Sequence, residues 1–316
     1  MPLLRLHSLP CVLCFLVLQG ACTASPPDPA PSQEQASTPG DPAQVPNSPA
    51  PDSTNKDAIE RALKNIQDKG QCNRVMGCPP ATLLLKSGTE AIAPILRQLE
   101  IGNPDAPWFT ELIDLLGSMP DSRTLPFLRG CLKNTRWLIR SHAAIALGRL
   151  KDSESRRQLT EMADSPSLDV ATVASAAYAL VRLGDTRRND TLLRFATESA
   201  IRTQNWGWST LVVELATDLR LRRAAPGFRV ACQHRDFFLR RAAIRGIRRI
   251  RDLEGVDCLI DRLADPIPSI RREAHGYLQD LTGEEHPLDA AAWEAWCTRT
   301  TCRTPKNLSK PTKKTP

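Results

Sequence analysis

Apolar side chains recur along this chain at helical spacing, and the same stripe returns in successive segments. Ile139, Ala143, Leu147 and Leu150 are separated by four, four and three positions, which keeps them on one side of an α-helix. Leu239, Ala243, Ile247 and Ile250 repeat that stripe, as do Ile270, Ala274, Leu278 and Leu281. Trp108, Leu112, Leu116 and Met119 fill the same places earlier, and Trp208, Val212, Ala216 and Leu219 fill them between. A whole phrase travels with the stripe: 143–152 reappears, degraded but aligned, as 243–252, with weaker copies closing near Asp121, Asp185, Arg220 and Gly283. One unit therefore returns about every 31 to 35 residues, within the solenoid range. Shorter candidate helices precede the stripes over 90–101, 123–133, 155–163, 191–200, 224–233 and 255–264, with Pro94, Pro126 and Pro226 near their starts, where a missing amide is tolerated. The pattern predicts an all-α fold: a right-handed α-solenoid of about six stacked antiparallel helix pairs, an armadillo-type superhelix over 56–301 with less regular helices as end caps.

The ends break the pattern. Residues 1–22 carry an early positive charge at Arg5, an apolar stretch from Leu6 to Leu18 and the small residues Gly20 and Ala21 before Cys22, the order of a secretory signal. The apolar run is too short, and too interrupted by Pro10, to span a bilayer. Gly20-Ala21-Cys22 resembles the end of a bacterial lipoprotein signal, which implies lipidation at Cys22 and a membrane-anchored protein of the cell envelope. The segment departs from that family in having Gln19 where an aliphatic residue is usual, and ordinary cleavage near Ala21 or Ala24 is the competing reading. Residues 23–55 are Pro, Ser, Ala, Asp, Gln and Thr with almost nothing to bury, and are expected to form a disordered tether. Residues 302–316 are expected to be a basic disordered tail.

The repeats themselves resemble HEAT repeats of the bacterial type, including the phycobilin lyase-like class. In that family a turn Asp is often followed six residues later by an Arg that opens the second helix. Asp265 with Arg271 fits, and Arg140 and Arg240 hold the same helix place; Asn134 replaces the acid in one unit and Val173 the Arg in another. Leu281-Thr282-Gly283 followed by 288–296 resembles the closing segment of such proteins. The resemblance spans about 82–296 and implies architecture far more than activity, because the family holds scaffolds, adaptors, lyase subunits and nucleic-acid enzymes.

Composition then narrows the picture. Hydrophobic residues make up 41% of the 316 positions and aromatics only 5%, so the core must be Leu, Ile, Val and Ala in thin helical layers. Of ten cysteines, Cys11 and Cys14 lie in the apolar N-terminal stretch. Cys72 with Cys78, and Cys297 with Cys302, are close pairs at the ends of the array, expected as disulfides if the chain is exported. Cys131, Cys232 and Cys258 fall at apolar helix positions and read as small core residues.

Lys and Arg number 42 against 35 acids, a net charge of +7, and the surplus is concentrated. Between 220 and 251 eleven arginines face one acid, Asp236. Arg241, Arg245 and Arg248 follow i, i+4, i+7 spacing on the side opposite the apolar stripe, and with Arg222 and Arg223 they make a candidate ridge for an anion or a partner. Enzymatic signatures are missing from the sequence: His142, His234, His275 and His286 make no i, i+4 pair, and no phosphate loop, nucleophile elbow or dinucleotide fingerprint occurs. Of the two clustered tryptophans Trp206 and Trp208, only Trp206 lies off the stripe, while Trp293 and Trp296 are placed to seal the last layer. The expectation is a non-catalytic, exported, lipid-anchored scaffold or assembly factor for a protein partner, without cofactor or metal. One alternative is a polyanion-binding module for an acidic envelope polymer, lipid headgroups or nucleic acid, the last being the wrong partner for an exported chain. A second is a HEAT-like lyase or glycosylase-type enzyme subunit.

Overall fold

The computed structural model describes residues 51–69, 78–203 and 205–300, and every regular element among them is a helix. Helices α1 (Pro51–Lys69) and α2 (Pro79–Ser87) cap one end. Six pairs follow: α3 (Ile92–Ile101) with α4 (Pro107–Leu116), α5 (Leu125–Cys131) with α6 (Trp137–Arg149), and α7 (Arg156–Asp164) with α8 (Val170–Arg182). Then come α9 (Asn189–Phe195) and α10 (Glu198–Thr203) with α11 (Trp206–Asp218), α12 (Ala225–Cys232) with α13 (Phe237–Ile250), and α14 (Val256–Asp261) with α15 (Pro268–Thr282). Helix α16 (Ala290–Thr300) closes the array. The fold is the expected α-solenoid, with second helices α4, α6, α8, α11, α13 and α15 stacked side by side.

Two expected boundaries move. The single first helix foreseen over 191–200 is two helices, because the Thr197 hydroxyl accepts a bond from the Ala200 amide and starts α10 afresh. Helix α1 begins at Pro51, inside the stretch expected to be tether, and Asn55 is held against the α2–α3 junction by Ser87 and Glu90. The expected signal, the expected lipidation at Cys22, most of the expected tether and the expected basic tail fall outside the described residues.

The recurring phrase acquires a physical cause at the ends of α6, α8, α11 and α13. At Lys151, Gly184, Arg220 and Arg251 the chain turns left-handed, with φ of 56°, 99°, 54° and 54°. The next amide then reaches back five residues: Asp152 to the Leu147 carbonyl at 3.0 Å, and Asp185 to Leu180, Leu221 to Ala216 and Asp252 to Ile247 at 2.9 Å. These are four Schellman caps, which satisfy carbonyls that helix ends leave open. Only one of them uses glycine; the other three hold a Lys or Arg where a side chain is disfavoured by about 1 kcal/mol.

Packing follows the stripes. Ile139, Ala143, Leu147, Leu239, Ala243, Ile247, Ile270, Ala274 and Leu278 are all buried, and the small residues set how closely helices approach. A methyl group built on Gly148 would lie 2.6 Å from the Ala179 Cα, and one on Gly117 would lie 2.6 Å from the Ala146 Cβ, so α4, α6 and α8 run nearly backbone to backbone. At the far end Trp293 and Trp296 are buried edge to face, 5.6 Å apart, with His286 against both.

The cysteines depart from expectation. Cys232 and Cys258 are not merely small core residues: they form a disulfide between the end of α12 and α14, with Cα atoms 6.4 Å apart. Cys131 is buried and free, and burial pushes its thiol up to about 12. Cys78 and Cys297 are both disulfide-bonded, while Cys72 and Cys302 lie outside the described residues.

Candidate functional site

Several second helices carry polar residues on the side that meets the next second helix. On α4 and α6, Asp114 Oδ1 lies 2.9 Å from His142 Nδ1, with both side chains buried. Arg149 on α6 hydrogen-bonds Tyr178 on α8, and the Tyr178 hydroxyl donates to Asp218 on α11 at 2.6 Å. Arg182 approaches the same carboxylate at 3.9 Å. Burial pulls the Arg149 guanidinium down, but Asp114, Tyr178 and Asp218 outweigh it and hold it above its ordinary value. Burial first, then Asp218, pushes the Tyr178 phenol up to about 12. A run of polar contacts thus ties four consecutive units together from within.

The expected arginine ridge is the next stretch of that run. Arg241 and Arg245 both meet Glu273 of α15, at 2.5 and 3.4 Å, with side chains only 14% and 18% exposed. Arg248 pairs with Asp280 and lies over the Tyr277 ring, 4.8 Å from its centre. Arg241 and Arg245 pack against α15, while the Arg248 side chain stays half exposed. Arg241, Arg245 and Arg248 therefore form no open anion-binding ridge; the acids one repeat later take them. Arg222 and Arg223 lie elsewhere, exposed in the turn between α11 and α12.

The family's Asp–Arg pattern is also rewired. The Arg271 guanidinium donates to the Asp265 carbonyl at 2.7 Å, whereas the Asp265 carboxylate is held by Arg240 of the preceding unit, at 2.7 and 3.0 Å. Arg240 donates as well to the His234 and Arg235 carbonyls, so one buried guanidinium closes its own turn and clamps the next. Arg140 does the same, with the Asn134 and Thr135 carbonyls and Asp169. A further clamp recurs 100 residues apart: Arg129 holds Asp152 and Glu154, and Arg229 holds Glu254 with Asp252 at 3.6 Å. Its two copies differ in balance. Burial raises Asp152, but the bonds from Arg129 leave it below the usual range, while the looser Arg229 leaves burial dominant and Asp252 above it.

What remains open is at the two edges of the array. The starts of the second helices line one edge with half-buried aromatic rings: Trp108, Trp137, Trp206 and Trp208, then Phe237 and Phe238. Ile101 stands on the same edge, 75% exposed. Trp108, Trp137, Trp208 and Phe237 each pack one side on the core, and Trp206 is half-buried. The ends of the second helices line the opposite edge with arginines. No group of three or more His, Cys, Asp or Glu side chains among the described residues is arranged to hold a metal ion. No described helix is long and apolar enough to cross a membrane.

Comparison with known proteins agrees on architecture. Residues 93–181 match the family model described as HEAT repeats. No curated protein sequence matches. Among solved structures the chain is similar to human deoxyhypusine hydroxylase in complex with glycerol, at 17% identity and a TM-score of 0.42, over 75% of this chain and all of that one. It is also similar to the complex of CpcE and CpcF of phycocyanin lyase from Nostoc sp. PCC7120, at 19% identity and a TM-score of 0.35, over 77% of this chain and 82% of that one. Both names are those of enzymes, so the expectation that the chain is no enzyme is withdrawn. Residues 93–181 of this α-solenoid match HEAT repeats, and the same plan of helix pairs continues to either side.

Proposed function

We propose that the chain is an exported, lipid-anchored scaffold of a bacterial envelope that receives a protein partner along its aromatic edge. The row of half-buried rings from Trp108 to Phe238, with Ile101 beside it, carries this reading. Trp and Phe are enriched at the centres of protein interfaces, where much of the binding energy concentrates. Inward-facing polar positions are occupied by contacts between helices, which leaves the edge as the apolar surface on offer. Export is supported by the sulfur chemistry: one disulfide inside the array and two further bonded cysteines, Cys78 and Cys297, suit an oxidising compartment. The 1–22 segment and its Cys22 supply the anchor in this reading.

Proximity labelling in the native envelope tests it, with the wild-type chain compared with a Trp137→Ser, Trp206→Ser variant. A discrete set of proteins labelled by the first and lost by the second is expected. An identical labelled set for both chains sinks the aromatic edge as the docking surface.

A further inference from the structure

Arginines at the ends of second helices have structural work in most units. Arg123 holds Asp121 and the Thr89 carbonyl, Arg187 holds Asp185, and Arg188 holds Asp164. Two adjacent turns differ. Arg220 and Arg222 precede α12, Arg249 lies in the last turn of α13 and Arg251 just after it, and all four are exposed, their side chains making no ion pair or hydrogen bond among the described residues. Arg223 beside them meets only Asp190, in a pair whose side chains are 78% and 73% exposed. Because α11 and α13 run side by side in the same direction, the two turns are neighbours on one edge, about 8–10 Å apart by ordinary helix packing. Arg220 and Arg251 also occupy left-handed positions that a glycine fills with less strain, as Gly184 does in the equivalent turn. Strain at a non-glycine residue retained where it is avoidable points to a use for the side chain.

We infer that this edge rests on an anionic phospholipid surface, through Arg220, Arg222, Arg223, Arg249 and Arg251. The guanidinium groups are long, mobile cations at turn tips rather than the lining of a groove, so several can reach one plane together. That geometry favours a membrane over a single polymer strand. The inference rests on the anchored reading for its setting, in which a lipidated Cys22 keeps the array near a bilayer. The aromatic edge, across the width of the array, then faces away from the membrane toward a partner.

The test uses the full-length chain carrying Cys22→Ser, which has no acyl acceptor, so that the edge is judged apart from the anchor. Sedimentation is measured with vesicles of phosphatidylcholine alone and with 30% phosphatidylglycerol, at low and high salt. Because residues 1–22 are common to every variant, the reading is the phosphatidylglycerol-dependent part. A salt-sensitive preference for phosphatidylglycerol is expected. It should fall by roughly fivefold per arginine, and so several hundredfold in Arg220→Ser, Arg222→Ser, Arg249→Ser, Arg251→Ser. The corresponding four Arg→Lys changes should retain it. Equal binding by the serine variant, no preference for phosphatidylglycerol, or capture by soluble polyphosphate without vesicle binding each overturns the inference. The mass of the native N-terminus decides the anchor independently, so loss of one reading is not mistaken for loss of the other.

Discussion

Removing Arg240 should uncouple the last repeat from the rest of the array. Its side chain is 7% exposed and the Asp265 carboxylate it holds is 0% exposed, so Arg240→Met leaves a charge buried without its main partner. Breaking such a pair costs about 3–5 kcal/mol. The lower end is expected, because Arg262 at 3.4 Å and the Ile267 amide at 2.9 Å still face the carboxylate. Asp265→Asn should cost about 2–3 kcal/mol, since the amide keeps an acceptor for Ile267 but leaves Arg240 uncompensated. The double variant should be less damaging than the sum by about 2 kcal/mol, because neither group is then charged and alone. In a solenoid this loss falls on one interface between neighbours. Amide exchange in Arg240→Met should therefore accelerate in α14, α15 and α16 while α4 to α8 keep their protection. Acidity should reproduce the effect. Burial raises Asp265, yet the bonds from Arg240 and Ile267 bring it below the usual carboxylate value, so its contribution is present above about pH 4 and is lost as pH falls through the native value. Uniformly faster exchange along the array, or additive costs in the double variant, would refute the clamp.

Two further expectations concern packing. Replacing Cys232 and Cys258 together by serine opens a loop spanning a sequence separation of 26 and should destabilise the chain by about 3–4 kcal/mol, read as a lower denaturant midpoint that reducing agent shifts less than it shifts that of the unaltered chain. Gly148→Ala and Gly130→Ala should act in opposite directions. At Gly148 a methyl group meets the Ala179 backbone, and overpacking of about 1–3 kcal/mol outweighs a helix-propensity gain of about 1, whereas at Gly130 nothing lies within 4 Å and only the gain remains. A common sign in thermal unfolding contradicts the close approach of α6 and α8.

The array was legible in the sequence because stacking imposes a stripe on every unit. Ile139, Ala143 and Leu147 announce their burial by spacing alone, and their counterparts in other units do the same. Partners across units were less legible, since each pair spans about one repeat and no local rule marks it. Asp265 was matched with Arg271 at six residues, while its carboxylate is held by Arg240 at 25. The ridge carried a usable signal: Glu273 and Asp280 each stand 32 residues after Arg241 and Arg248, one unit on and opposite in sign. Asp114 and Tyr178 were missed because their shared place, two residues after the middle of the stripe, holds Ile145 in the unit between them and shows no charge pattern. Cys232 and Cys258 were assigned to the core on polarity, and their separation of 26 is again one unit.

The sulfur bridge between α12 and α14 has a mechanical consequence. A stack of helix pairs drawn from its ends yields one unit after another, each releasing its own length of chain. Here α13 lies inside a covalent ring, so extension stalls at that ring and withholds roughly 90 Å of backbone. Cys78 and Cys297 are bonded at the two ends of the array, so a machine that threads this polypeptide through a pore needs a reductant before it can finish.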